Sequence, residues 1–404
     1  MSRPMRQEVA DWASDFDLAD PEYNSRAFEI WESLRTRCPL AHSSRYGGMW
    51  LPLTFEMVRD IAYDTTRFTS RSAVVSNLPS EFPEPIGNAP PITSDPPFHS
   101  EARRLLLPAF APKRVKKEEQ GIRQLCRDTL GELGEIIPGE TVVDVARQYA
   151  AVIPTRVISR MLGFPAADHA LLLGFVRDAL EAIDLPADEM AARRDRLDDY
   201  LDRQIEEHRR HPRDDLTSFI MGAQIFDQPL TPQHVRGSIA LLLLAGIDTT
   251  WSVLGSSIAH LASHADDRNR LVTRPELMPA AVEEFLRAFA PVTAARIVKQ
   301  GHDFHGSRLQ EEEWVLLPFG AANRDPKAFH EAHHVVIDRK VNRHLAFGIG
   351  IHRCIGSHLA RLELRVALEE FLASFSAFEL VGSPAWSSGQ IRGPRSLRIR
   401  ILAS

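Results

Sequence analysis

The residues Phe347-Gly348-Ile-Gly350-Ile-His352-Arg353-Cys354-Ile-Gly356 run into Ser-His-Leu-Ala-Arg-Leu-Glu-Leu, a stretch of helical period. A cysteine at that place sits where a loop enters a helix. The orphan N–H groups of the first turn and the positive end of the helix dipole favour a thiolate over a thiol. Gly348, Gly350 and Gly356 let the backbone come close to a flat, bulky partner. The arrangement suits a metal held axially by one sulfur, whereas a cysteine without these flanks would be a core residue in a tight turn.

Other reactive residue types stand in recognisable patterns. Asp248-Thr249 interrupts an apolar run, where a threonine hydroxyl can bond back to the carbonyl of Ala245 and open a groove beside Gly246, and an aspartate among leucines needs a partner or a purpose. Glu284 and Arg287 are spaced i, i+3, which on an exposed helix contributes only ~0.2–0.5 kcal/mol. His330-Glu331-Ala-His333-His334 fits the His-Glu-x-x-His zinc pattern, but Asp325-Pro326 before it and Val335-Val336-Ile337 after it leave no room for the helix that would align both histidines. Gly348-Ile-Gly350 starts like a dinucleotide fingerprint, yet Arg353 stands where the third glycine belongs. No fused NAD or flavin domain is expected.

Phe347-x-x-Gly350-x-x-x-Cys354-x-Gly356, with His352 and Arg353 just before the cysteine, resembles the haem-binding loop of the cytochrome P-450 family in its bacterial soluble form. Three more segments match in the family's order. Glu284-x-x-Arg287 is similar to the motif of its K helix, Ala245-Gly246-Ile247-Asp248-Thr249-Thr250 resembles the oxygen-binding stretch of its central helix, and Asp95-Pro-Pro-Phe-His99 with Arg103 looks like the start of its C helix. The resemblance spans essentially the whole chain. It implies haem b, with Cys354 as the axial iron ligand and Ala245, Gly246, Phe347, Gly348, Gly350 and Gly356 around the ring. It also implies that His99, Arg103, Arg296 and His352 bind the two haem carboxylates. Thr249 is then expected to stabilise bound, partly reduced oxygen and Asp248 to bring in protons, while Glu284 and Arg287 form a structural pair tied to Arg339. Val335 replaces the aromatic usual near Arg339. The implied activity is that of a haem-thiolate monooxygenase that activates O2 and hydroxylates a mid-sized, mostly apolar small molecule. Its electrons would come from a separate ferredoxin-type donor and its reductase, with NAD(P)H acting only indirectly. A haem protein that merely senses a ligand would need no Asp248-Thr249 pair.

The elements that must position these groups are mainly helical. Thr231 as N-cap, Pro232 in the first turn and apolar positions at Ile239, Leu242, Leu243 and Gly246 predict a helix reaching His264. About 33 residues make it roughly 50 Å long, enough to cross the molecule. A second helix is predicted from Pro279 to before Pro291, with Val282, Phe285, Leu286 and Phe289 on one face. Short β-branched and aromatic runs at Gly48–Leu53, Ile297-Val298, Trp314–Leu317 and Ser396–Leu402 suit small sheets. The expected fold class is therefore mainly α with small β-sheets (α+β), the cytochrome P-450 fold with its long central helix over the haem, in one unit over residues 1–404. Its substrate pocket is expected between the proline-rich stretch Ser72–Pro97, Ser238–Gly246, Val292–Arg296 and the turn at Gln390-Ile391, with Arg71 beside it read first as an exposed arginine and second as a partner for a substrate carboxylate.

Composition excludes several alternatives. With 404 residues, 44% hydrophobic and 25% charged, the chain is neither disordered nor a small disulfide scaffold, and its three cysteines lie far apart. A net charge of −6 makes nucleic acid a poor partner. Lys113, Arg114, Lys116 and Lys117, with Arg353, Arg361 and Arg365, could still form a local docking patch for an acidic ferredoxin. The N-terminus carries no signal-like apolar run, and the block Ile239–Ile247 is far short of the ~20 residues that span a bilayer. The protein is expected to be a cytoplasmic monomer.

Overall fold

Thr231 starts the central helix, Pro232–Ser263, by accepting the His234 N–H on its hydroxyl at 3.2 Å, and Pro232 occupies the first turn, where a missing N–H breaks no bond. The helix has 32 residues and is buried on nearly every face, with Ile239, Leu243, Ile247, Leu254 and Ile258 fully enclosed. Val152–Leu162 packs along one side and Ser357–Ser374 along another. Although it is long and apolar enough to cross a membrane, 67% of its most apolar window is buried inside the fold, as befits a core helix. The second predicted helix spans Met278–Ala288 and buries Val282, Phe285 and Leu286. In this computed structural model residues 8–75, 88–181 and 185–403 are described. The pocket stretch Ser72–Pro97 is thus only partly visible: 76–87, with Pro79, Pro83 and Pro85, lie outside the described residues.

The architecture is mainly helical, with small sheets beside the helices. The largest sheet has five strands in the order Leu40–Ser43, Met49–Pro52, Trp314–Pro318, Thr293–Val298, Phe68–Thr69. Trp314 pairs with Met49 in parallel and with Ile297 in antiparallel register, so strands far apart in sequence meet next to the cavity described below. The run expected as one strand at Ser396–Leu402 serves two sheets. Pro394–Ser396 pairs with Ala385–Trp386, while Arg398–Ile401 pairs with Phe378–Leu380 and Val142–Asp144. Period-two alternation cannot reveal such a switch, because each half satisfies it separately. A second apolar core, around Phe16, Tyr23, Trp31, Met49 and Leu51, holds the N-terminal helices against the large sheet.

Candidate active site

Gly348 and Gly350 adopt φ of 65° and 73°, and a Cβ on Gly350 would stand 2.7 Å from the carbonyl of Ala62, so this turn admits glycine and little else. The loop closes when the Cys354 N–H donates to Phe347 O at 2.8 Å, and Gly356 then leads into Ser357–Ser374. The Arg361 guanidinium covers the Phe347 ring at 4.4 Å. Cys354 opens onto an internal cavity of about 1030 Å³, although protein surrounds it. Burial pushes its thiol up, while the Gly356 N–H and the charges of Arg103, Arg361 and Arg353 pull it down.

Across that cavity runs the central helix. Ala245 is accessible in the middle of a core helix because it faces this space, and Thr249 Oγ1 donates to its carbonyl at 2.9 Å. Gly246 also lines the cavity, and a Cβ there would come within 3.0 Å of Ile158 on the neighbouring helix. The expected pocket segments converge: Ala73 to Val75, Leu241 and Leu242, Leu244 to Gly246, Val292 to Ala294, and Gln390 with Ile391 all line it.

Beside the cysteine loop the structure gathers His99, Arg103, Arg296 and His352. The two imidazoles meet edge to face at 4.3 Å, and both ring nitrogens of His99 and Nε2 of His352 are buried with no hydrogen-bond partner among the described residues. Burial lowers His99 to about 4 and His352 to about 2, with neighbouring arginines adding to both shifts, and lowers Arg296 to about 10. Buried imidazole N–H groups without acceptors, beside two arginines, are matched by an anionic group with several acceptor oxygens.

A family model described as Cytochrome P450 matches residues 270–385. The mycinamicin IV hydroxylase/epoxidase of Micromonospora griseorubida is 32% identical over 87% of this chain and 89% of its own length. This chain belongs to the cytochrome P450 family. The nocardicin C N-oxygenase of Nocardia uniformis subsp. tsuyamanensis is 31% identical over 91% of this chain and 92% of its own. The crystal structure of CYP109E1 from Bacillus megaterium in complex with testosterone superposes with a TM-score of 0.85 at 28% identity, covering 95% of this P450 and 100% of that chain. The family's cofactor is haem, and the residues present fit it: a cysteine at the cavity floor, glycines that allow close approach, and unpartnered donors for the ring's carboxylates.

In this P450 the Glu284 carboxylate is a hub. Arg287 donates to it twice at 2.8 Å, Arg339 at 2.9 Å, Asn342 at 3.0 Å and the Val336 N–H at 2.8 Å. Arg287 goes on to the carbonyls of Asn323, Ala332 and His334, and neither Glu284 nor Arg287 has any exposed side-chain surface. Burial alone would raise the carboxyl, but the bonds from Arg287 and Arg339 hold it below its ordinary range.

Asp248, adjacent to Thr249 in the chain, is fully buried and does not itself line the cavity. Its Oδ1 is 2.7 Å from Arg395 Nη2 and 3.4 Å from Ser252 Oγ, and Arg395 also pairs with Glu181 and covers Trp251 at 4.3 Å. Burial raises the carboxyl to about 6, against the pull of Arg395.

Three basic residues that the sequence singles out are already engaged by acids. Arg361 and Arg365 are not free to dock a partner: Arg361 is held by Glu283 and Arg365 by Glu119, acids on facing helices that the sequence does not show to be near, and Arg365 is held also by Glu369 one turn later in its own helix. Lys113, Arg114, Lys116, Lys117 and Arg353 are exposed. Arg71 lines the cavity and is paired with Glu312. The His330–His334 stretch forms turns instead of a helix, with Glu331 at φ 51°.

One buried acid escaped the sequence reading. Glu363 lines the cavity, its Oε2 has no partner among the described residues, and burial raises it to about 8. Its place at i+4 from Leu359 and i−4 from Ala367, on the apolar stripe of its helix, was the available signal. A raised carboxyl binds its proton in the folded state first, so this group lowers stability as pH rises from its ordinary 4.5 towards 8. Glu363→Gln should remove that fall: the melting temperature of the variant, relative to wild type, should rise between those pH values. A constant difference across the range would show that Glu363 is ionised throughout.

Proposed function

We propose that this P450 is a cytoplasmic monooxygenase of a mid-sized, mostly apolar organic molecule. Its electrons come from a separate ferredoxin-type donor, whose reductase draws on NAD(P)H. The observation that carries this reading is the pairing of the Thr249–Ala245 groove with a large cavity above Cys354. The cavity wall is mostly aliphatic, and Arg71, Arg193 and Arg236 on it are each paired with a carboxylate. Such a wall favours an apolar ligand. The named activities of the relatives, hydroxylation or epoxidation and N-oxygenation, support oxygen transfer.

Bound haem would supply an iron at which molecular oxygen is activated for insertion into a substrate bond. Cys354 would ligate that iron, and His99, Arg103, Arg296 and His352 would neutralise the haem carboxylates. Phe347, Gly348, Gly350, Gly356, Ala245 and Gly246 would line its faces and rim. Thr249, with its own proton directed to Ala245 O, presents its hydroxyl oxygen to the cavity as an acceptor. Asp248 is the proton source next to it: burial holds its carboxyl near the pH at which it can both gain and lose a proton. Arg395 has to release Asp248 for that transfer. Glu284, Arg287 and Arg339 keep the segment before the cysteine loop in place.

Screening a panel of apolar compounds for the spin-state change of ferric haem, then supplying reductant, tests the reading. Hydroxylated product is expected from compounds that shift the spin state. Reversible oxygen binding with no product from any of them would favour a sensor. Thr249→Ala should still bind substrate and consume reductant but release peroxide in place of product. Asp248→Asn keeps the shape and removes the proton, so turnover should fall ~10²–10⁴-fold. Wild-type rate and coupling in both variants would remove the relay from the mechanism.

Electron delivery is assigned to the exposed face around Lys113, Arg114, Lys116, Lys117 and Arg353. Reversing Lys116 and Lys117 to glutamate should slow reduction by an acidic ferredoxin at low salt, with the difference shrinking as the Debye length falls below ~8–10 Å. Equal rates at all salt concentrations would move the docking site elsewhere.

A further inference from the structure

The turn at Gln390 is fixed from behind. Asn24 Nδ2 donates to the carbonyls of Ser387 and Gly389 at 3.0 Å each, and the Arg392 guanidinium is sandwiched between Phe28 at 4.2 Å and Trp386 at 3.9 Å while donating to Asn24 O. From this rigid base the Gln390 side chain, 3% exposed, reaches between two walls of the cavity. Its Oε1 accepts the N–H of Val75, and its Nε2 donates to Thr293 O at 2.7 Å. The Thr293 N–H returns a bond to Gln390 O at 2.8 Å. Val75, Thr293 and Gln390 all line the cavity.

We infer that Gln390 is a specificity-determining positioning residue, whose amide sets the distance between the Ala73–Val75 wall and the Val292–Ala294 wall of the substrate cavity. The inference rests on that cavity being the substrate pocket. Val75 is fully buried, and its N–H would be an unsatisfied buried donor without Oε1. The 73–75 segment otherwise meets the neighbouring strand through the Ala295 N–H to Ala73 O bond at 2.9 Å. An amide is required because one partner donates and the other accepts. A hydrocarbon of the same length satisfies neither, and a carboxylate sets a second oxygen against Thr293 O. Because the turn is anchored on its far side, removing the amide should let the 73–75 wall move and leave the turn in place.

The test uses holoenzyme and 1-alkylimidazoles, whose nitrogen ligates haem iron while the tail explores the wall. Spectral Kd is measured against tail length and branching for wild type and Gln390→Met. Wild type should discriminate steeply against bulky tails. Gln390→Met should keep its haem and its Kd for 1-methylimidazole, yet bind bulky tails roughly tenfold more tightly relative to short ones, a change the size of one altered wall contact. An unchanged tail profile in a fully haem-loaded variant would overturn the role of Gln390. A flat profile in wild type would instead show that this cavity does not select substrate. Should Gln390→Met lose haem, Gln390→Leu, which likewise offers neither an acceptor to Val75 nor a donor to Thr293, is read in the same way: a relaxed profile supports the assignment and a wild-type profile overturns it.

Discussion

Cys354→Ser is expected to abolish the red-shifted Soret band that a thiolate-ligated haem gives when reduced under carbon monoxide, and with it all measurable hydroxylation. The expectation follows from how little else the cavity floor offers. Cys354 opens onto the cavity at the head of Ser357–Ser374, where burial favours the thiol and the Gly356 N–H and three arginines oppose that, so ligation to iron is what would fix it as thiolate. A serine hydroxyl has the same reach, but its far higher pKa leaves it neutral beside the same charges, so it cannot supply the electron-rich ligand that favours O–O cleavage. The loop itself should persist, because its closing bond comes from the residue's backbone N–H to Phe347 O and its turns come from Gly348 and Gly350. The variant should therefore remain folded, and haem retained through His99, Arg103, Arg296 and His352 would have a Soret band at the position of an oxygen- or histidine-ligated iron. A red-shifted carbon monoxide adduct in Cys354→Ser would show that another group is the ligand.

What was legible in the sequence was what is local. The cysteine loop, the Thr249-to-Ala245 back-bond and the cap at Thr231 each depend on residues a few positions apart, so motif and period suffice to find them. Glu284 and Arg287 also look local, yet their burial is set by Arg339 and by carbonyls from Asn323 to His334, which an i, i+3 spacing does not announce. Arg395 lies still further from what it serves. It reaches Asp248 from a hairpin near the C-terminus, and nothing in the pattern around either residue marks the pair. The charges at Arg361 and Arg365 misled for the same reason: a basic residue is free or engaged according to which helix faces it. Gln390 was visible as a residue of a pocket turn, but its clasp on Val75 and Thr293 exists only once three distant segments meet.

The Glu284 hub gives the largest effect on stability. Glu284→Ala would leave the Arg287 and Arg339 guanidiniums facing each other with the carboxylate gone, and removing one partner of a buried pair costs about 3–5 kcal/mol. Set against the ~5–15 kcal/mol by which folded domains are stable, that is enough to deplete the haem-loaded protein severely. The adjacent Glu283 is an internal control. Its carboxylate is 33% exposed and pairs with Arg361 and His344, so water can replace part of what is lost, and Glu283→Ala should cost nearer ~1 kcal/mol. Acidification should reproduce part of the Glu284 effect. Because the folded carboxyl lies below its ordinary value of 4.5, its contribution is complete above that pH and drains away as the pH falls through the lowered value. Thermal melts of the holoenzyme and its two variants across pH would separate these outcomes: Glu284→Ala should be the less stable at neutral pH and should flatten the acid limb of the curve. Equal stability of the two variants would place Glu284 in a solvated pair and leave Arg287 to be neutralised by the surrounding carbonyls alone.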